Sequence, residues 1–154
     1  MKISAKAEYA CLAMFELAKR QGSPRPTQIH VVAEAQAIPS QYLVQILIQL
    51  QRAGLVRSER GAKGGYRLAR EPQDISVGEV LRVIDGPLMV TRGAGANETE
   101  EAGGRHFREI WSQVQEAMSE VVDRRSFADL VLMYEREFEV KKGKGGKELG
   151  DAGR

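Results

Sequence analysis

Residues 40–70 restrict the fold more tightly than any other stretch of the chain. Leu43, Ile46, Leu47 and Leu50 recur at the three- and four-residue spacing of one helix face, which predicts a helix over 40–53 with Ser40 as its N-cap. Gly54 stands where the end of a helix favours a left-handed residue. Two short alternating segments, 55–60 and 66–70, then flank Gly61-Ala62-Lys63-Gly64-Gly65, the pattern of a β-hairpin whose glycines are expected to take positive φ. A helix that runs into a hairpin leaves its apolar face to be covered by other elements, and the preceding sequence supplies them.

Ala7, Ala10, Cys11, Met14, Leu17 and Ala18 form the inner stripe of a helix over 4–20 that Ser4 can cap, and the Gly/Pro-containing stretch 22–26 ends it. Thr27 is the expected cap of a second helix reaching Gln36, with Ile29, Val32 and Ala33 inward, and 37–40 is a tight connection to the third. After the hairpin, Ser76-Val77-Gly78-Glu79 has capping-box spacing and predicts a fourth helix over 77–85, stopped by Gly86-Pro87. Phe107, Ile110, Trp111, Val114, Met118, Val121 and Val122 then mark the seam of a long helix over 105–124 that packs on another helix. Ser126 is the expected cap of a last helix with Leu130, Val131, Met133, Tyr134 and Phe138 inside. Between the fourth and fifth helices the Gly- and Glu-rich stretch 91–104 reads as a mobile loop, and the Gly/Lys-rich 141–154 as a disordered basic tail.

The order of helix, helix, short turn, helix and hairpin is that of a winged helix-turn-helix, a mainly α fold with a small β-hairpin wing, in which the third helix enters the major groove of DNA. The side chains suit that task. The core stripe leaves Gln41, Val44, Gln45, Ile48, Gln49 and Arg52 on the outer face, where Gln can pair with adenine and Val can touch a thymine methyl. Ser40 and the helix dipole suit a phosphate. The wing adds Arg57, Arg60, Lys63 and Arg67 for phosphates or the minor groove. Charge is distributed accordingly: residues 1–86 hold 12 Lys/Arg against 8 Asp/Glu, and from Arg52 to Arg70 six basic residues face Glu59 alone. An alternative reading is a protein-interaction module in which Val44 and Ile48 dock a partner.

Other classes of function find little support. The single cysteine, Cys11, excludes a disulfide framework and any metal or iron–sulfur site built from several cysteines of this chain, and suits a reducing, cytoplasmic setting. No apolar run approaches the roughly 18 residues of a membrane span, and the N-terminus lacks a signal-peptide layout. The loop around Lys63 lacks the Gly-Lys-Ser/Thr ending of a nucleotide cradle. His30 and His106 lie in separate segments with no nucleophile or ligand spacing, so no catalytic residue, metal site or cofactor is expected and the chain is not read as an enzyme. Glu98, Glu100 and Glu101 form an acidic cluster expected to be solvated.

Several motifs together carry a more specific likeness. They run from Met1-Lys2-Ile3-Ser4 to Glu8-Tyr9-Ala10, through Gln41-Tyr42-Leu43 with Gln45, and through Gly54-Leu55-Val56 with Arg60-Gly61. Gly64-Gly65-Tyr66-Arg67-Leu68 and Ile75-Ser76-Val77-Gly78-Glu79-Val80 complete the set, which resembles the Rrf2 family of bacterial winged-helix regulators, the IscR, NsrR and CymR group. The resemblance covers residues 1 to about 90 closely and continues more loosely through the helix of Trp111.

It implies a homodimer held by crossed long helices, with Phe107, Ile110, Trp111, Val114, Met118 and Val121 at the contact. It implies binding to a palindromic promoter site, usually as a repressor, through Ser40, Gln41, Val44, Gln45 and Arg60. On that basis the chain divides into a DNA-binding domain over 1–88, a flexible loop over 89–104, dimerisation helices over 105–140 and a tail over 141–154. A small-molecule or protein effector is expected between the DNA-binding part and the long helix.

Two departures matter. Cluster-binding members place three cysteines before the long helix, where this chain has positions such as Gly93, Thr99 and Arg105, so Glu8, at the place of an acidic ligand, has no site to complete and no iron–sulfur cluster is expected. Cluster-type relatives also often carry Glu at the place of Val44, so the target sequence should differ.

Overall fold

The computed structural model describes residues 2–89 and 104–145. The order is α1 (Ala5–Lys19), α2 (Ile29–Gln36), α3 (Ser40–Arg52), β1 (Val56–Glu59), β2 (Gly65–Leu68), a 3-10 turn (Pro72–Asp74), α4 (Val77–Asp85), α5 (Gly104–Asp123) and α6 (Phe127–Gly145). Ser4 caps α1 as expected: its Oγ accepts from the Ala7 N–H at 3.0 Å. The same residue joins the two ends of the domain, since its N–H and hydroxyl donate to the Asp85 carboxylate at 2.9 and 2.5 Å.

Thr27 is not the cap of α2. It exchanges two backbone hydrogen bonds with Tyr66 of the wing, 3.0 and 2.8 Å, so the helix begins at Ile29 behind an uncapped Gln28. Ser40 is likewise the first residue of α3 rather than its cap, because Pro39 takes the flanking position and its carbonyl accepts from Tyr42 and Leu43. Ala37, in the left-handed region at φ 52°, makes the sharp turn between the two helices.

The end of α3 follows the sequence expectation closely. Gly54 has φ +74°, its N–H donates to Gln51 O, and the Leu55 N–H reaches back to Leu50 O, both at 3.0 Å. This pair of bonds closes the helix and turns the chain directly into β1. β1 and β2 pair antiparallel in the register Val56 with Leu68 and Glu59 with Gly65. Of the wing glycines only Gly61 has positive φ, contrary to expectation. Gly64 and Gly65 are required by close approach instead: a Cβ would lie 2.3 Å from the Glu59 carbonyl oxygen and 2.4 Å from that of Thr27. The wing is thus pressed against the start of α2.

One core joins these elements. Met14 and Leu17 of α1, Val32 of α2, the stripe Leu43, Ile46, Leu47 and Leu50 of α3, Leu55, Ile75 and Val80 are all buried. Phe127, at the start of α6, is fully buried in the same cluster, a core contribution the sequence pattern did not single out. Ser76 Oγ caps α4 at 3.2 Å, but Glu79 does not close the capping box; its carboxylate takes Arg70 at 2.5 Å instead. Ser126 caps α6 as expected, in a reciprocal bond with Asp129.

The last helix departs from expectation at two points. It continues to Gly145, so residues 141–145 of the expected disordered tail are helical. Leu130 and Val131 are half-buried, whereas Met133, Tyr134 and Phe138, expected inside, are exposed in the single chain. The expected loop over 91–104, with its acidic cluster Glu98, Glu100 and Glu101, lies outside the described residues except for Gly104, where α5 begins.

Candidate nucleic-acid interface

The α3 stripe that enters the core fixes which side chains face outward. Ser40, Gln41, Val44, Gln45, Ile48 and Arg52 are all exposed, with Val44 at 37% and Ile48 at 41%. Two apolar β-branched side chains one turn apart in water, between glutamines, form an apolar and amide surface rather than a charged one. Gln49 does not join them. Its Oε1 accepts from Lys6 Nζ of α1 at 2.7 Å and its Nε2 donates to Val83 O of α4 at 3.0 Å. It therefore sets the tilt of α3 against two other helices. Gln51 ties the end of α3 to the wing through Ser58 Oγ at 3.2 Å.

In the wing, Arg57, Arg60 and Lys63 are exposed and, among the described residues, make no ion pair. Arg67, expected at phosphates or the minor groove, is different in being engaged within the protein. Its Nε donates to Glu59 at 2.8 Å, and its two terminal nitrogens donate to the carbonyls of Ser23 and Pro24 at 2.7 and 2.9 Å. With all its donor faces engaged, Arg67 fastens the wing to the turn after α1. The sequence offered basic residues in the hairpin but no signal of which one faces inward.

A further residue escaped the sequence reading. Glu16 of α1 is wholly buried and accepts from Arg20 Nε at 2.8 Å, Gln36 Nε2 at 2.9 Å and Lys19 Nζ at 3.2 Å. Burial pushes its carboxyl up, but the bonds from Gln36, Lys19 and Arg20 outweigh that and hold its pKa below the ordinary value. The network binds α1 to α2. Lys19 extends it to α6, lying 4.6 Å from the ring centre of Tyr134, which in turn meets Phe15 edge-on.

α5 joins the rest at its C-terminal end. Arg82 of α4 and Asp123 form a two-pronged pair, both bonds 2.7 Å, and the hydrogen bond from Arg82 holds the Asp123 carboxyl below its usual range. Gly78 lets the helices meet there, since a Cβ would fall 2.0 Å from Asp123 Oδ1. Along the remainder of α5, Phe107, Ile110, Trp111, Val114 and Val121 are exposed, at 59%, 47%, 43%, 39% and 66%, and Met118 is half-buried. Phe107 and Trp111 stack with ring centres 6.3 Å apart.

Among the described residues no group of three or more His, Cys, Asp or Glu is arranged to hold a metal ion. Cys11 is mostly buried in α1, and desolvation, with Asp85 and Glu8 nearby, pushes its thiol up to about 11. That opposes the thiolate a metal or an oxidant requires. Of the positions where the family resemblance would place cluster cysteines, Gly93 and Thr99 lie outside the described residues, and Arg105 is an exposed cation. The donor set does not fit an iron–sulfur cluster.

Comparison with known proteins agrees with this architecture. Residues 3–132 match a family profile described as Rrf2, iron-dependent transcriptional regulator. The chain is similar to the HTH-type transcriptional regulator CymR of Bacillus subtilis, 39% identical over 130 residues that cover 84% of this chain and 89% of CymR. A putative HTH-type transcriptional regulator of Mycobacterium tuberculosis is 41% identical over 131 residues, covering 84% of this chain and 81% of that one. Among solved structures, CymR of B. subtilis, described as its global cysteine regulator, aligns with a TM-score of 0.74 at 36% identity, over 86% of this chain and 98% of that one. The IscR of T. potens aligns with a TM-score of 0.69 at 34% identity, over 100% and 94%.

Proposed function

This chain belongs to the Rrf2 family of DNA-binding transcription regulators, and from that premise we propose that two copies bind a palindromic promoter site together and repress from it, without an iron–sulfur cluster and without enzymatic activity. The observation that carries this reading is the exposed face of α3, with Gln41, Val44 and Gln45, together with the exposed wing cations Arg57, Arg60 and Lys63. Gln41 and Gln45 read adenine edges, Val44 packs on a thymine methyl, and Arg52, Arg57, Arg60 and Lys63 hold the flanking backbone. Ser40 meets a phosphate at the start of α3. A protein that works on promoters acts in the cytoplasm.

The second copy covers the α5 face of Phe107, Ile110, Trp111, Val114, Met118 and Val121, since an apolar stripe of this length on a DNA-binding regulator marks a contact surface. The DNA-binding domain is residues 1–88 and the dimerisation helices begin at α5. A small-molecule or protein effector acts at the cleft between α4 and α5, about 310 Å3, lined by Arg82, Pro87, Leu88, Gln115 and Ser119. There it would bear on α4, whose Val83 carbonyl holds Gln49 of the reading helix.

Gln45→Ala tests the placement of the reading helix. It should cost about 1–3 kcal/mol at one base pair and leave binding to random DNA nearly unchanged. If it changes neither, measured by competition between single-base operator variants, α3 does not read bases. Val44 and Ile48 also suit a protein partner. In that case DNA retention would be weak and insensitive to salt, contrary to the steep dependence that counterion release imposes.

A further inference from the structure

Beside the wing, Lys63 belongs to a second concentration of positive charge, the rest of which the reading of α3 and the hairpin does not use. Arg20 from the end of α1, Arg25 from the turn after it and Lys63 from the wing loop line one shallow cavity of about 280 Å3, together with Ser23, Thr27 and Gln28. No acidic side chain lines it. The three cations lie far apart in sequence and are brought together by contacts already described. The Thr27–Tyr66 bridge draws the start of α2 onto β2, and the close fit of Gly65 against the Thr27 carbonyl leaves no slack. Arg67 then clamps the carbonyls of Ser23 and Pro24, which places the turn bearing Arg25 against the wing.

The cations also differ in their freedom. Arg20 is held by buried Glu16, with Nε at 2.8 Å, so its position is fixed and its charge is paired. Arg25 and Lys63 are exposed and, among the described residues, have no ion pair or hydrogen bond. Like charges converge at some electrostatic cost; Glu16 offsets that of Arg20, while nothing acidic in the cavity lining offsets Arg25 and Lys63. An anion does so when it arrives.

The geometry points to this cavity as a seat for DNA backbone phosphates, reached outside the base pairs read by α3 and held by Arg25 and Lys63 in front of Arg20. This inference rests on the proposal that the wing lies on DNA, and it extends the footprint from the hairpin onto the α1–α2 turn. The seat carries no base readout. It adds affinity and salt dependence, and it positions the wing on the duplex. It also gives Arg67 a role at one remove, since Arg67 holds the turn that carries Arg25.

The test uses the full chain with Arg25→Ala and Lys63→Ala combined, and leaves Arg20 in place because of its bond to Glu16. Thermal unfolding should match the wild type, both residues being exposed. Affinity for random-sequence duplex DNA is measured across a salt series. Each phosphate that is no longer neutralised makes the slope of log K against log salt shallower by about 0.9, so the double variant should flatten it by roughly 2 per chain. The preference for the operator over a single-base variant of it should stay as in the wild type. Arg136→Ala on α6, outside the cavity, should leave the slope unchanged. A slope flattened by no more than about 0.9, which the wing contact of Lys63 gives alone, would overturn the seat while leaving the DNA-binding proposal standing. If the slope flattens no further than that but stabilisation of the chain by inorganic phosphate is lost, the cavity takes free phosphate and the inference is likewise overturned. If the wild type binds no duplex at all, the reading on which the seat rests falls, and the seat with it.

Discussion

Trp111→Asp should abolish the proposed dimer, leaving monomers in sedimentation at concentrations where the wild type is expected to pair. Trp111 lies mid-way along the exposed stripe of α5 and stacks on Phe107, four residues before it. In a two-fold contact each substitution appears twice, so the dimer would bury two unpaired carboxylates and lose two indole rings. Either effect alone is worth several kcal/mol, and at least about 4 kcal/mol per dimer raises the dissociation constant roughly a thousandfold. Folding of the chain should survive, because the core of Met14, Leu47, Val80 and Phe127 contains no residue of this face. DNA binding should weaken as well, since the second half-site is then no longer engaged as an intramolecular event. A dimer that persists in sedimentation would move the contact elsewhere; α6, with exposed Leu132, Met133 and Val140, is the next surface to test.

Glu16→Ala should destabilise the fold by about 3 kcal/mol. The substitution leaves a hole under α2, removes the acceptor of Gln36 Nε2 and frees Arg20 and Lys19 to turn outward. For a chain of this size that is roughly 6–12 °C in Tm. Glu16→Gln separates charge from shape. Because the folded-state pKa is held below the ordinary 4.5, the carboxylate contributes its full stabilisation above pH 4.5, and that contribution is lost as pH falls through the lowered value. The stability gap between wild type and Glu16→Gln should therefore be constant near neutrality and shrink below pH 4.5. A gap that does not change with pH would mean that folding leaves the Glu16 pKa where it stands in the unfolded chain.

Period and punctuation made most of the fold legible from residues alone. The α3 stripe and Gly54 located the third helix and its end to within a residue, because an apolar face and a left-handed glycine are local requirements. What escaped was set by partners distant in sequence. Thr27 has the chemistry of a cap but is taken by Tyr66. Gln49 lies on the outward side of the α3 pattern yet is held by Lys6 and Val83. Arg67 is one more basic residue in a basic hairpin until the Ser23 and Pro24 carbonyls are brought to it. Glu16 interrupts an otherwise apolar helix face, and only the arrival of Gln36 from α2 accounts for its burial. Tyr134 and Phe138 follow a helical period that sequence alone reads as core, whereas in the single chain they remain exposed.

The central claim is that α3 and the wing of a paired molecule read one symmetric DNA site. The most direct measurement mixes the purified protein with fragmented DNA from its source at physiological salt and sequences the fragments retained. The account predicts a shared motif upstream of genes, two-fold symmetric, with half-site centres about one helical turn apart or a multiple of it. Retention without any shared motif, or no retention at all, would contradict it.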